Sequence, residues 1–380
     1  MEKRGKKREN IYILKEAMNL PEDVIFEILI RLPVTSLVRF KCVCKSWYSL
    51  IENPNLISKH LHNLSSRKNY VRLLISRRGN ITNKRVVSLS MNDTFDVFIN
   101  QDFPSYFNDK FGHVRLIGPC NGIVCLCGYP DNIVIWNPSI RDYKILPQSQ
   151  IQRLVGSTVR GSDFGLGFDS KRNDYKVIQI LFCLSNDRVV VYQVEIYSLN
   201  ENIWRKYNGI VPAKIKYGNI SWSMIYKNEI FCWLAQNGDN NEVILSFNMS
   251  EEIFENTPLP SNIGVFGEQE IRNIWVILPL NESISLIVYC LKQVEKYFDI
   301  WVINELGVKN CWTKLQRIGP LSRVERPLGF WKNGEFILEN SNGQLVIYDP
   351  VNQEVKTLGF YGKRDRLELV VYKESLVSVN

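Results

Sequence analysis

The segment IWNPSIRDYKILP, residues 135–147, decides the fold, because it joins a short apolar run to a second run through a turn. Asn137-Pro138 is a turn signal, and the runs on either side are rich in the β-branched and aromatic residues that strands prefer. The same arrangement returns in IYDPVNQEVKTL, residues 347–358. The segment therefore predicts a β-hairpin that is one member of an internal repeat.

Weaker copies of this hairpin occur along the chain. The first strand of each copy is marked by an apolar anchor, and the anchors are Leu89, Trp136, Tyr197, Phe247, Trp301 and Tyr348. Successive anchors are 47, 61, 50, 54 and 47 residues apart. A repeat of about 50 residues with about four strands is typical of a propeller blade. We therefore expect an all-β, propeller-like body of six units, with an open β-sandwich as the alternative.

The ends of this body predict how it closes. The apolar run YVRLLIS at 70–76 has no preceding strand to join, and the run within 367–377 has no following one. Pairing the two would remove two exposed edges, which otherwise invite aggregation. We expect the first and last strands to pair.

Residues 20–63 follow a helical period instead. Leu20-Pro21-Glu22-Asp23 has the proline and acidic residues of a helix start, and Val24 to Leu32 follow the spacing of one apolar face. Pro33 ends this helix, and a second apolar stripe runs from Leu37 to Ile51. Three short helices cannot bury two such stripes alone, so the module is expected to pack against a partner.

Charge and hydropathy exclude some classes of protein. No stretch approaches the length of apolar sequence that spans a bilayer, and no signal peptide is recognisable, so we expect the cytoplasm or the nucleus. The net charge is +8, and residues 1–18 are expected to form a disordered basic tail. Residues 1–64 hold 11 Lys and Arg against 7 Asp and Glu, and the remainder holds 36 against 32. Because this charge is spread out, nucleic-acid binding is disfavoured.

The parts of an enzyme or metal site are also missing. The chain has three histidines, and His60 and His62 are spaced so that they cannot face one ion together. Cys125-x-Cys127 lacks zinc-ligand spacing, and Gly165-Leu166-Gly167 lacks the rest of a dinucleotide motif. The acidic residues Asp169, Asp174 and Glu195 are isolated and are interpreted as turn formers. We expect no catalytic residue, no metal and no cofactor.

Two resemblances refine this interpretation. Residues 19–60 resemble an F-box, with the opening Leu20-Pro21, a second element IL-x-x-LP at 28–33 and the core VCK-x-W at 43–47. The remainder resembles the plant F-box-associated domain, which is kelch-like, and within it the S-locus F-box proteins of self-incompatibility. The segments that carry this resemblance are GPCNGIVCL (118–126), IWNPSIRDYKILP (135–147), FGLGFDSKRNDYKV (164–177) and VEIYSLNENIWR (194–205).

The resemblance implies an F-box over 19–64 and an F-box-associated propeller over 65–380. It implies that the F-box binds a Skp-type adaptor, which joins it to a cullin and a RING protein of a ubiquitin ligase. The β domain would then bind a protein substrate, with an S-ribonuclease in pollen as the first choice. An unrelated plant signalling or stress protein is the alternative substrate. A nucleic-acid-binding β domain, or an enzyme built on a propeller, is the alternative of another class.

The residues expected to bind the adaptor are apolar. They are Leu20, Pro21, Ile25, Ile28, Leu29, Leu32, Pro33, Leu37, Phe40 and Trp47. Val43 and Leu50 are assigned to internal packing instead. For the substrate we expect variable segments between strands, at 100–112, 148–163, 208–221, 260–272 and 316–327. The sequence names no substrate-binding residue.

Overall fold

A computed structural model describes the chain over 20–66, 71–78, 85–90, 95, 98–101, 103–107, 114–128, 132–187, 190–215, 224–260, 263, 273–281, 283–309 and 311–380. The predicted tail at 1–18 lies outside these residues. Four helices come first: α1 (Glu22–Leu29), α2 (Val34–Phe40), α3 (Lys45–Ile51) and α4 (Pro54–Ser66). Pro21, Pro33 and Pro54 stand at helix starts, where a proline has no amide hydrogen to leave unpaired. Among the described residues, no helix is long and apolar enough to cross a membrane.

The rest of the described chain is six antiparallel sheets, which confirms the six-bladed propeller and excludes the open sandwich. Blade 1 holds β1 (Val71–Arg78), β2 (Arg85–Ser90), β3 (Phe98–Gln101) and the last strand, β25 (Glu368–Lys373). Blade 2 holds β4 (Val114–Cys120), β5 (Ile123–Gly128), β6 (Asn132–Asn137) and β7 (Asp142–Ile145). Blade 3 holds β8 (Ser157–Asp169), β9 (Asp174–Ser185), β10 (Val190–Ser198) and β11 (Ile203–Lys206).

Blades 4 to 6 continue the ring. Blade 4 holds β12 (Ala213–Ile215), β13 (Met224–Lys227), β14 (Ile230–Asn237), β15 (Glu242–Asn248) and β16 (Ile253–Pro258). Blade 5 holds β17 (Asn273–Leu280), β18 (Ser283–Cys290), β19 (Glu295–Ile303) and β20 (Trp312–Ser322). Blade 6 holds β21 (Val324–Phe330), β22 (Phe336–Asn340), β23 (Gln344–Asp349) and β24 (Glu354–Tyr361).

The repeated hairpin is the outer half of each blade. When the strands of a blade are counted from the central axis outward, every anchor lies in the third strand. Trp136, Tyr197 and Phe247 lie opposite Tyr143, Trp204 and Phe254 of the fourth strand. Five residues after the anchor, four of these hairpins have a residue with positive φ. These residues are Arg141 (58°), Asn202 (57°), Glu252 (58°) and Gln353 (57°). The shared backbone turn explains why the repeat is visible in sequence.

The polar residue after the anchor closes the turn. The side chain of Asn137 accepts from the amide of Ser139 at 3.0 Å, and that of Asp349 accepts from Val351 at 2.8 Å. Asn248 binds the amide of Ser250 in the same way at 2.9 Å. These are Asx turns, for which Asn and Asp are the usual residues. The Asn/Asp-Pro signal in the sequence therefore reports a specific hydrogen bond.

The ring closes through β25, as predicted. β25 pairs antiparallel with β1, with Val71 opposite Lys373 and Leu74 opposite Val370. The last strand is the innermost strand of blade 1, and it packs between β21 of blade 6 and β4 of blade 2. Tyr372 fastens this strand, because its buried hydroxyl lies 2.6 Å from the Ser139 hydroxyl and donates to Gly122 O at 3.0 Å.

The pair Gly165-x-Gly167 serves blade packing. Both glycines lie in β8, the innermost strand of blade 3. A Cβ on Gly165 would meet the rings of Phe231 and Trp233 at 3.0 Å, and one on Gly167 would lie 2.6 Å from Met249. Glycine is therefore required because blade 4 approaches closely here.

Two faces of the ring follow from the strand directions. Counted from the central axis, the first and third strands of a blade run in the same direction. The turns that follow these two strands therefore lie on one face of the ring. We call this the F-box face, because the helical module packs there. The opposite face, here the distal face, holds the connections after the second and fourth strands.

Candidate protein-interaction surfaces

The four helices of the F-box enclose a small core of their own. Its buried members are Leu29, Ile30, Val34, Leu37, Ile51 and Leu56, joined by Leu376 from the segment after β25. Ile140, in the β6–β7 turn of blade 2, packs against the same cluster. The helical module is therefore seated on the propeller by apolar contacts.

A histidine also fixes the last helix. His60 of α4 is buried, and its Nε2 lies 2.8 Å from the carbonyl oxygen of Leu32. Burial lowers the pKa of His60, and the bond to Leu32 opposes this effect. His62 is exposed on the same helix, so the two imidazoles face different surroundings. Within the described residues, no group of three His, Cys, Asp or Glu side chains is placed to hold a metal ion.

The structure divides the ten residues expected to bind the adaptor. Leu20 and Ile28 are 54% and 44% exposed. Pro21 is exposed, and Ile25, Leu32, Pro33, Phe40 and Trp47 are half-buried. Leu29 and Leu37 are 1% and 0% exposed, which corrects the expectation that they face a partner. Both side chains point into the helical core. The apolar stripe on each helix is wide, so one of its edges faces the core and the other faces solvent.

Sequence reasoning missed part of the exposed apolar surface. Val24 is exposed one turn before Ile28 on the same face of α1, and Leu20 is exposed just before this helix. Val43 is 61% exposed, so its assignment to internal packing is wrong. It lies in the turn between α2 and α3, where helical periodicity no longer applies. Leu50 packs against the core as predicted.

We call the exposed residues Leu20, Val24, Ile28, Val43 and Tyr48 the apolar F-box surface. A group of large apolar side chains on so small a module is a feature of protein interfaces. The spacing of the residues on α1 suits helix-in-groove or helix-on-helix packing.

A central channel runs through the propeller behind the F-box. Its cavity measures about 390 Å³ and is walled by β4, β13, β17, β21 and β25. Leu61 of α4 lines the end at the F-box face. Arg115, Arg326 and Glu368 line it toward the distal face, where their strands begin.

Glu368, which lines this channel, has a shifted pKa. It is buried, and burial raises its pKa to about 7, with Arg85 acting in the opposite direction. Its Oε2 accepts a hydrogen bond of 2.7 Å from the amide of Leu116 in β4. Because β25 carries Glu368, this bond joins blade 1 to blade 2 close to the distal face.

The acidic residues that stood out in the sequence have structural partners. Asp169 accepts hydrogen bonds from Lys176 and Arg172, which outweigh its burial and hold its pKa well below the usual range. Asp174 accepts from the Ser198 hydroxyl at 2.6 Å. Asp169 and Asp174 flank the β8–β9 turn, in agreement with their interpretation as turn formers.

Glu195 departs from that interpretation. It lies within β10, fully buried, and its carboxylate accepts from the side-chain Nε2 of Gln193 at 2.6 Å and from the guanidinium of Arg153. The sequence alone does not show which polar residues of a strand face a buried partner, so the position of Glu195 inside β10 is not predictable from it.

Only part of the segments expected to be loops between strands is irregular in the structure, and their role in substrate binding stays a prediction. Residues 146–156 form an exposed connection on the distal face, but 157–163 belong to β8. The segment 316–327 is wrong as a loop, because β20 and β21 fill it with only Arg323 between them. Gly319 and Pro320 sit in a bulge of β20 opposite β19. In 100–112, residues 100–101 belong to β3 and Ser105–Phe107 form a 3-10 turn. Residues 102 and 108–112, most of 260–272 and the end of 208–221 lie outside the described residues.

The fold and its N-terminal module define a class of protein, namely an F-box joined to a β-propeller. Two family models match the chain: the F-box domain over residues 18–69 and the F-box associated beta propeller domain over 79–378. The chain belongs to the F-box proteins that have an F-box-associated β-propeller domain.

Curated relatives agree with this family. An F-box/kelch-repeat protein of Arabidopsis thaliana is 30% identical, and the match covers 95% of this chain and 96% of the relative. F-box protein CPR1 of the same plant is 25% identical over 89% of this chain and 84% of its own length. A further Arabidopsis F-box protein is 26% identical, with 94% and 91% covered.

Proposed function

We propose that this protein is the substrate-recognition subunit of a Skp-cullin-F-box ubiquitin ligase. The observation that carries the proposal is the apolar F-box surface, which stays exposed although the F-box core is closed by its own helices together with Leu376. A Skp-type adaptor covers this surface and links the chain to a cullin and a RING protein. The chain itself performs no chemistry. Its contribution to ubiquitin transfer is proximity, since holding a substrate near the charged conjugating enzyme raises the local concentration of its lysines.

The seating of the F-box supports this proposal. Leu376 and Ile140 connect the helical core to the propeller, so the two domains are held in a defined orientation. The distal face, which holds the longer connections, then points away from the adaptor and is available to a substrate. Surface loops on a rigid scaffold are a common site of recognition.

Co-purification with a Skp-type adaptor tests the proposal. Ile28→Arg places a cation within the apolar interface, which costs several kcal/mol if the side chain is dehydrated there. The matched control is Val355→Arg, since Val355 is 47% exposed and lies on an outer strand of blade 6. We expect adaptor binding to be lost for Ile28→Arg and kept for the control, with unchanged thermal unfolding in both. Undiminished binding by Ile28→Arg would refute the proposed interface.

For the identity of the substrate, the resemblance to S-locus F-box proteins supports an S-ribonuclease recognised in pollen. The test is a binding panel of self and non-self S-ribonucleases against the complex with its adaptor, combined with pollen compatibility. If no ribonuclease is bound and compatibility is unchanged, the substrate is a different protein. The ligase proposal does not depend on that outcome.

The place of action is proposed to be the cytoplasm or the nucleus, where cullin ligases would encounter the chain. A fluorescent fusion of the full chain, observed in plant cells, tests this directly. Exclusive labelling of another compartment would refute it.

A further inference from the structure

Seven cationic residues from distant parts of the sequence meet on the distal face over blades 6 and 1. They are Arg77, Arg78, Arg85, Arg323, Lys363, Arg364 and Arg366, which we call the arginine patch. Arg77 and Arg78 end β1, and Arg85 begins β2. Arg323 is the single residue between β20 and β21, and Lys363, Arg364 and Arg366 lie between β24 and β25. All three connections follow a second or fourth strand, so they lie on the same face.

Direct contacts join the end of β1 to the segment between β24 and β25, and that segment to the start of β21. The amide of Lys363 donates to the carbonyl of Arg78 at 3.0 Å, and the Arg77 guanidinium donates to Tyr361 O at 3.3 Å. Arg364 forms an ion pair of 2.9 Å with Glu325, two residues after Arg323. The described residues of the patch at these three positions are therefore neighbours on one face.

Like charges are crowded within this surface. Burial lowers the pKa of Arg85, Glu368 opposes that effect, and the charges of Arg78 and Arg366 lower it further. Arginine nevertheless stays protonated in proteins, so the repulsion persists in the free protein. Among the described residues, the neighbouring carboxylates are Glu325, Glu339, Asp365 and Glu368, and Glu339 pairs with Arg326, which is not part of the patch. These carboxylates are fewer than the seven cations of the patch.

We infer that the arginine patch binds an acidic, carboxylate-rich segment of the substrate protein. Six of its seven members are arginines, whose planar guanidinium matches carboxylate oxygens in pairs. Arg323, Lys363, Arg364 and Arg366 are exposed, so a partner can reach them. Glu325 and Asp365 interrupt the positive surface, which suits discrete carboxylate groups better than the uninterrupted phosphate backbone of a nucleic acid.

This inference rests on the proposed function, because the occupant is taken to be the substrate of the ligase. It is independent of the S-ribonuclease proposal. A basic ribonuclease would be repelled by the patch unless it presented a locally acidic segment there.

A charge-reversal variant provides the test. Lys363→Glu/Arg366→Glu changes two exposed side chains of a turn whose backbone bond, Arg366 N to Lys363 O at 3.0 Å, does not involve them. The control is Lys309→Glu/Lys356→Glu, two exposed lysines outside the patch. Arg366→Gln is a milder second variant, and thermal unfolding of each protein checks that it is folded.

The measurement is fluorescence anisotropy with a labelled oligo-glutamate peptide, on the full chain co-purified with its adaptor. We expect about tenfold weaker binding for the double patch variant, a smaller loss for Arg366→Gln, and no change for the control. Binding should also weaken as NaCl rises from about 50 to about 500 mM, because salt screens exposed charges.

Three outcomes would overturn the inference. They are no binding of oligo-glutamate at low salt, equal binding by the patch and control variants, or tighter patch-dependent binding of a single-stranded oligonucleotide of equal charge. The last result would assign the patch to nucleic acid. If the chain does not co-purify with the adaptor but still binds the peptide through the patch, the proposed ligase role is refuted. Binding of acidic segments by the arginine patch would then still hold.

Discussion

Tyr372 is the residue through which closure of the propeller can be measured. Its hydroxyl is buried among the Ser139 hydroxyl at 2.6 Å, Gly122 O at 3.0 Å and Asn137 Oδ1 at 3.2 Å. A phenol has one proton, so it donates one hydrogen bond here and accepts one from Ser139. Tyr372→Phe removes both bonds and keeps the ring in place.

Each lost bond costs about 0.5–1.5 kcal/mol, so we expect the free energy of unfolding to fall by about 1–3 kcal/mol. Tyr361→Phe is the control, because Tyr361 is exposed and a substitution there should change stability by less than about 0.5 kcal/mol. Urea unfolding followed by tryptophan fluorescence measures both, with an unchanged m-value showing that the same surface unfolds. A Tyr372→Phe protein as stable as the unmutated chain would show that this hydroxyl does not fasten the last strand.

Two further predictions concern the F-box core and the channel. Leu29→Ala should destabilise the helical module by about 2–5 kcal/mol, because removing most of a leucine that is 1% exposed leaves a cavity. Ile28→Ala should not destabilise it, because Ile28 is 44% exposed. Hydrogen exchange of the helix amides measures both variants, and equal protection in the two would contradict the burial of Leu29. Glu368 has a folded pKa of about 7 against an ordinary 4.5, so the folded state binds more protons between these values and stability falls as pH rises through them. Glu368→Gln should remove this fall, by up to about 3 kcal/mol at pH 8, and parallel stability curves for the two proteins from pH 4 to pH 8 would refute it.

The fold was predictable where the determinants are local. The outer hairpin of each blade is specified by an anchor, an Asx turn and a positive-φ residue within six positions, so it repeats visibly in the sequence. Pairing of the first and last strands followed from edges that lacked a neighbour. The loop predicted at 316–327 was wrong, because Gly319 and Pro320 form a bulge within β20 instead of a connection between strands.

The interaction surfaces were less predictable, because they depend on which neighbour covers a side chain. Helical spacing places Ile28 and Leu29 on the same broad stripe, but only packing against α2 to α4 makes one outer and the other inner. The sequence shows two short basic clusters of the arginine patch, at 77–78 and 363–366, but not that they meet. The members of the patch are separated by up to 289 positions, from Arg77 to Arg366, and the even spread of charge along the chain conceals their meeting.

The pairing of β25 with β1 has a consequence for synthesis on the ribosome. About 290 residues separate the end of β1 at Arg78 from the start of β25 at Glu368. At roughly 5–20 residues per second, the inner edge of β1 emerges tens of seconds before its partner is made. Throughout that interval the nascent chain presents an unpaired strand edge, and the F-box core still lacks Leu376. A chaperone that shields this edge during translation would therefore act on the blade that is begun first and completed last.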